Sequence, residues 1–292
     1  MVADYWITNT EQTGNNMYIK NFLTVTRFTI FDELHNKSFY VLTAISILFV
    51  LLLRGCFHSN MVVNGQEVNA TTIGYNASII AFNIIASAGV LIAVLLAMRV
   101  FRRDVEDGMA ITILSKPVKR IEYVSGKIAG VWILSYGLTL ILHVAVYIIM
   151  LVNTGGRIPF FIPASLVTSV NVLFAVVLVM FFSMIMPDVI AALSTLAVAA
   201  VSLVSDSVSA VSQNPTVQSM INQQGQQSSF SLPHIISLFW PKLIALQFFS
   251  TSLIKETPFQ STGLIHPLLN VTLYCVVVFF VLYWRFSKEE LQ

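Results

Sequence analysis

The sequence predicts an all-α polytopic membrane protein. It has six transmembrane helices, an amphipathic interfacial helix ahead of the first, and outer-face helices before the last. Three observations carry this reading. The chain of 292 residues is 56% hydrophobic and only 10% charged, with a mean hydropathy of +0.79, whereas soluble domains carry about 25% charged residues. Its apolar residues gather into stretches long enough to cross a bilayer, which takes about 20 residues per helix. Seven of the sixteen Lys and Arg residues sit in one short segment, 99–127, between two of those stretches. That pattern marks the cytoplasmic side of a membrane protein.

Taken in order, residues 1–16 are polar and lack the basic and apolar regions of a cleaved secretory signal. Within 17–37, Tyr18, Ile19, Phe22, Leu23, Val25, Phe28, Ile30 and Leu34 form a broad apolar stripe opposite Lys20, Thr24 and Arg27. This suits a helix lying in the membrane interface. Spans are expected at 39–58, 78–98, 128–152, 163–186, 188–206 and 267–286. The apolar sequence of 163–206 is twice one crossing, and Pro187 followed by Asp188 breaks it as a hairpin tip, with Asp188 as the N-capping side chain. The 59–77 loop is short and polar. The 207–266 connection is Ser- and Gln-rich at first, then becomes LPHIISLFWPKLIALQFF, which reads as interfacial or re-entrant helices.

Orientation follows from the basic residues. With the N-terminus inside, twelve of the sixteen fall inside, leaving only Arg54, Arg157, Lys242 and Lys255 outside. Both termini are thus expected in the cytoplasm, Arg54 reaching the outer headgroups. The whole chain, 1–292, reads as one transmembrane domain, with 207–266 as its extracytoplasmic connection. Two cysteines, Cys56 and Cys275, lie in or beside spans and read as buried thiols. A net charge of +2 gives no argument for a nucleic-acid partner.

Several chemistries lack their residues. Gly126-Lys127 is the nearest approach to a phosphate-cradling loop, but Ile121 stands where the first Gly belongs and Ile128 where Ser or Thr belongs. The five histidines show no metal-ligand spacing. No Ser-His-Asp or paired-carboxylate set falls within the spans, so the chain is not expected to be an enzyme. His143 and Asn83, inside the third and second spans, are candidate path-lining groups, and a neutral His bonded to a neighbouring helix is the weightier reading. Ala191, Ala192, Ser194, Ala197, Ala199, Ala200 and Ser202 make the fifth span rich in small residues, suited to close packing or to a conduit wall.

The 99–127 segment has more order than an orientation signal requires. It runs Arg103, Asp104, Glu106 and Gly108, then an apolar run holding Ile111 and Leu114, then Ser115, Pro117 and Arg120, and ends with Gly126-Lys127 entering the next span. This order resembles the loop between the second and third spans of type-two ABC exporter permeases, with Met109 where a Thr is common. The six-span layout, the entry helix, the long loop before the last span and the tail RFSKEEL extend the resemblance over most of the chain. Among subfamilies the chain is most similar to permeases of the nitrous-oxide-reductase maturation system.

The resemblance implies the transmembrane permease subunit of an exporter in the cytoplasmic membrane of a prokaryote. ATP and Mg would sit on separate ABC ATPase subunits, and a second copy or a homologous permease would complete the path, with membrane lipid around it. Residues 99–127 become a cytoplasmic coupling loop, its short helix opened by the acids at 104–107, contacting the ATPase through Ile111, Ile113 and Leu114, and ended near Pro117. A secondary transporter would need intramembrane coupling charges or matched helix breaks. A non-transporting scaffold subunit is the third alternative, and a neighbouring reading frame with a phosphate-cradling loop would favour the exporter.

Overall fold

The computed structural model describes residues 2–54, 62–63, 66–67, 70–106, 118–154, 157–212, 240–259 and 265–288. Nine helices are described: α1 (Val2–His35), α2 (Lys37–Arg54), α3 (Ala70–Ala97), α4 (Val100–Glu106), α5 (Arg120–Thr154), α6 (Phe161–Ser183), α7 (Asp188–Ser212), α8 (Leu243–Lys255) and α9 (Pro267–Lys288). A two-residue hairpin, β1 (Val62–Val63) against β2 (Gln66–Glu67), pairs antiparallel before α3.

Five helices, α3, α5, α6, α7 and α9, are long and apolar enough to cross a membrane. The α1–α2 pair makes up to six, with a bend of 70° between Tyr18–His35 and Lys37–Leu52. The α1 side of the bend packs alongside α5, with Tyr18, Asn21, Val25 and Thr29 against Lys119, Glu122, Gly126 and Gly130 in turn. Asn36 makes the corner, its side-chain oxygen accepting from the Ser38 N–H at 3.1 Å, so the first turn of α2 is capped.

The spanning helices alternate in direction and share two ends. One end gathers His35, the α3–α4 junction, the start of α5, the α6–α7 turn and the end of α9, and is called the charged end below. The core at this end packs Val94, Ala97, Phe101, Tyr123, Val131, Val176 and Phe286. Toward the far end a second cluster joins Phe82, Ile85, Val146 and Phe161, and a third joins Phe174, Leu246 and Val271.

Several expected boundaries move. The helix expected from 128 begins at Arg120, because Glu122, Tyr123 and Lys127 are buried at the charged end rather than left in a loop. Asp104 and Glu106 lie in the last turn of α4, while the short helix expected from 104–107 to near Pro117 falls outside the described residues from 107 on. A carboxylate at a helix C-terminus meets the negative end of the dipole, so Asp104 requires a cation, which Lys127 supplies. At the hairpin tip the first helical bond runs from Ala191 N–H to Pro187 O. Pro187 therefore holds the capping position, and Asp188 is the first helical residue, where the dipole favours its charge.

The stripe on α1 also turns differently from the expectation. Val25, Thr26, Thr29 and Glu33 face the bundle, while Tyr18, Ile19, Leu23 and Phe28 are exposed. Small residues on α5 select that face. A Cβ on Gly130 would stand 2.7 Å from Thr29 Cβ, and one on Gly126 would stand 2.8 Å from Val25 Cγ1. Gly126 and Gly130, four apart on one face of α5, let the α1 backbone approach as small-xxx-small pairs do.

α8 enters the bundle instead of lying on it. Its first carbonyl, of Leu243, accepts from Asn171 Nδ2 at 2.9 Å, about 15 Å along α6 from Phe161 at 1.5 Å per residue. Its last turn returns to the start of α3, where Tyr75 donates to Ile254 O at 3.3 Å. Glu256, in the left-handed region at φ 51, ends it, with Glu256 N–H bonded to Leu253 O and Thr257 N–H to Ser252 O. The stretch thus holds a short apolar helix whose N-terminus is buried in the bundle. Cys275 is a buried free thiol, as its neighbours in the sequence imply. Cys56 and the side chain of Arg54 lie outside the described residues.

Candidate functional site

The charged end is built around one buried ion pair. Lys127 is 0% exposed and Asp104 1%, and Lys127 Nζ lies 2.6 Å from Asp104 Oδ2. The Tyr123 hydroxyl donates to the same oxygen. The rings of Phe28 and Tyr123 have their centroids 5.6 and 5.8 Å from Nζ, close enough for cation–π attraction. In so dry a setting each charge depends on the other: removing one partner of a buried pair costs about 3–5 kcal/mol, because the survivor has neither water nor counter-ion.

A second pairing joins α1 to this core. Arg103 Nη2 donates to Glu33 Oε1 at 2.7 Å and also to Asp32. Glu33 is 2% exposed. Asp32 and Glu33 lie on α1, Arg103 and Asp104 on α4, Lys127 on α5, so three helices are tied in series by charge. Neighbouring positions on α4 serve two different helices, since successive residues on a helix point about 100° apart.

Further bonds secure the start of α5. Tyr123 N–H donates to Lys119 O, which makes Lys119 the N-cap. Glu122 reaches back to Lys119 N–H at 3.2 Å and also accepts from Asn21 Nδ2 at 3.0 Å, half of a capping box shared with α1. Arg120 donates to the carbonyls of Phe286 and Ser287 at 3.0 and 2.9 Å. It thus meets the orphan acceptors and the negative dipole at the end of α9. Tyr123 stacks on Phe286 at 5.6 Å and 23°, with Phe101 at 5.7 Å from Phe286. Arg99 and Arg102 face Asp188 at 3.5 and 3.9 Å, linking the α3–α4 junction to the start of α7.

The sequence-derived site residues divide accordingly. Arg103, Asp104 and Arg120 come together at this end, each engaged within the chain. Glu106 closes α4, and its side chain lies outside the described residues, as do Gly108, Ile111, Ile113, Leu114, Ser115 and Pro117. The ends flanking 107–117 are thereby held together, α4 through Asp104 and α5 through Lys127 and Tyr123. Among the described residues its charged groups pair with one another across helices and fix the spacing of those helices.

Reading the sequence missed Asp32, Glu33, Tyr123 and Phe286. An acidic pair near the end of an amphipathic helix was the signal available for the first two. Nothing local marks Tyr123 or Phe286, because their roles exist only once α5 and α9 meet. Gly126-Lys127, no phosphate loop by sequence, has a structural use in each residue: close approach for one, counter-charge for the other.

His143 and Asn83 belong to the far half. His143 is fully buried, with Nε2 3.3 Å from Phe82 O and Nδ1 2.9 Å from Ser165 Oγ. Both contacts are met by a neutral ring that donates from Nε2 and accepts at Nδ1, and that ring stacks on Phe82 at 4.5 Å. The Asn83 side chain accepts from Thr251 at 3.1 Å, while Gln247 donates to Asn83 O at 2.8 Å. Both side chains thus bond to neighbouring helices. At the inner start of α8, the buried carboxylate of Asp206 accepts from Ile244 and Ala245 N–H at 3.1 and 2.9 Å. Ser202 Oγ accepts from Leu243 N–H at 3.0 Å, so the helix dipole and its free amides hold the acid.

A family model described as ABC-2 family transporter protein matches residues 68–239, more than half of the chain. None of the curated proteins matches it.

Proposed function

The chain belongs to the ABC-2 transporter family, and from that membership we propose that it is the membrane subunit of an ATP-driven exporter, energised by separate ATPase subunits that carry ATP and Mg. It would work as two copies, or beside a homologous permease, in the cytoplasmic membrane of a prokaryote. The charged end and both termini would face the cytoplasm, in line with the basic asymmetry of the sequence. The order of residues 103–127 favours a partner system like that of nitrous-oxide-reductase maturation.

One observation carries the reading: the bases of α4 and α5, on either side of 107–117, are locked by Asp104, Lys127 and Tyr123. A segment so mounted transfers a push to both helices. Force applied at 107–117 by an ATPase reaches α3 and α5 together, and reaches α1 through Arg103. Glu106, Gly108, Ile111, Leu114, Ser115 and Pro117 then form the contact, while Arg103, Asp104 and Arg120 hold its mounting.

The test is co-expression and co-purification with candidate ABC ATPase subunits, followed by the ATPase's hydrolysis rate with and without the chain in nanodiscs. Stimulated hydrolysis is expected. Glu106→Ala and Gly108→Val, which leave the Asp104–Lys127 pair intact, should lower ATPase binding by ten-fold or more, since a desolvated interfacial charge contributes about 2–5 kcal/mol. Variants that bind and stimulate like the parent would remove 107–117 from the interface. Nucleotide binding by the purified chain alone would overturn the division of labour.

A further inference from the structure

We propose that the charged end carries a proton on Glu33, and that release of this proton loosens the tie between α1 and α4. The count of charges leads there. Asp32, Glu33 and Asp104 bring three carboxylates to the cluster, while Arg103 and Lys127 bring two cations. The side chains of Glu33, Asp104 and Lys127 are 2, 1 and 0% exposed, so water does little for their charges. A carboxylate in so dry a place, without a cation of its own, is neutralised by taking up a proton.

Geometry assigns the proton among the three acids. Asp104 has Lys127 Nζ at 2.6 Å and the Tyr123 hydroxyl on the same oxygen. Asp32 is 28% exposed and meets water. Glu33 has neither advantage: its Oε1 depends on Arg103 Nη2 at 2.7 Å, and that one nitrogen also serves Asp32. Lys127 acts on Glu33 only from a longer range. The other charges at this end face elsewhere: Arg99 and Arg102 meet Asp188 on α7, and His35 and Lys37 are exposed at the α1–α2 corner. Burial accordingly raises the Glu33 carboxyl above its ordinary 4.5, against the opposing pull of Arg103. With the proton in place the cluster is neutral, Arg103 answering Asp32 and Lys127 answering Asp104. Once it leaves, two neighbouring carboxylates on α1 compete for one guanidinium and repel each other, so α1 is held less tightly. The folded chain keeps this proton at a pH where the unfolded chain has given it up. Its stabilising effect is therefore full below the ordinary carboxylate range and is lost as pH rises through the raised value. This switch stands apart from the transport reading, because it belongs to the chain without any ATPase.

The test is amide hydrogen exchange of the intact chain in nanodiscs between about pH 5 and 8. Parent, Glu33→Gln and Asp32→Asn are compared at each pH, so that the intrinsic exchange rate cancels. Gln copies the protonated acid at 33, and Asn at 32 removes one of the two acids that share Arg103. Opening of residues 25–33 in the parent should rise with pH relative to both variants, by up to about ten-fold per pH unit, the limit for one proton. An infrared difference spectrum between the two ends of the range should show a protonated carboxyl lost in the parent and absent from Glu33→Gln. Parent and Glu33→Gln opening alike at every pH overturns the switch, and so does a parent spectrum without that carboxyl. If the pH dependence disappears in Asp32→Asn but persists in Glu33→Gln, the proton sits on Asp32 and the assignment is wrong. A Glu33→Gln chain that does not fold would show that the fold needs the charge on Glu33, which also overturns the proposal.

Discussion

The two ends of the bundle satisfy buried polar groups by different means. At the charged end, charge is met by counter-charge: Lys127 by Asp104, Arg103 by Asp32 and Glu33. Toward the far end, neutral donors and backbone contribute more: His143 is met by Ser165 and Phe82 O, and Asp206 by the first amides of α8 with Lys242 near it. The contrast has a physical origin. Side-chain pairs such as Arg103–Glu33 couple helices that no chain segment holds in register, and they can shift as units if an attached segment is pushed. Amides at a helix start are fixed by their own backbone, so the far-end contacts hold a shape rather than pass on a displacement.

The comparison can be broken most forcefully at Lys127. Lys127→Met leaves Asp104 buried beside Tyr123 alone and should destabilise the fold by about 3–5 kcal/mol, read as a fall in melting temperature in nanodiscs. Adding Asp104→Leu should recover most of that loss, since a well-packed apolar pair often equals a buried ion pair. A double variant no better than the single one would show that the two charges are not coupled.

Next in size is the packing of α1 along α5. Gly130→Ala places a methyl 2.7 Å from Thr29 Cβ and should cost about 1–3 kcal/mol of overpacking while displacing α1. Gly137→Ala, on the same helix with nothing within 4 Å, should be neutral or gain about 0.5–1 kcal/mol from helix propensity. Similar melting shifts for both would place the cost in the helix itself and not in the contact with α1.

The far end should respond more mildly. Asp206→Ala strips the α8 amides of their acceptor and should cost about 1–2 kcal/mol, the range of lost N-caps, with Asp206→Asn retaining part. Hydrogen exchange should show the loss confined to the first turn of α8; protection lost at Tyr123 or Lys127 as well would mean the two ends are one cooperative unit. Smallest of all, Arg120→Ala should cost about 1 kcal/mol through the end of α9 and raise exchange there without touching α8.

Much of this architecture was legible in the sequence because membrane spans obey a local rule. A window of apolar residues near 20 long, a Pro-Asp break and a dense basic loop each declare themselves without knowledge of their neighbours. Stretches such as 78–98, 163–186 and 267–286 fall within α3, α6 and α9 after small shifts of boundary. The candidate site was half legible. Arg103, Asp104 and Arg120 stood out by their order along the chain, but order does not say what a charge touches.

Sequence alone therefore determined the class of the protein, the approximate place of its apolar helices, and the segment where its charges concentrate, since each rests on composition within a short window. Tertiary structure decided the rest. It turned α1 so that Thr26, Thr29 and Glu33 face inward, because only assembly shows that Gly126 and Gly130 leave room there. It paired Lys127 with Asp104 and made Phe286 the floor under Tyr123, because residues from α4, α5 and α9 meet only when separate helices share one end of a bundle. Partnership between distant residues is a property of packing, and a chain read one window at a time does not contain it.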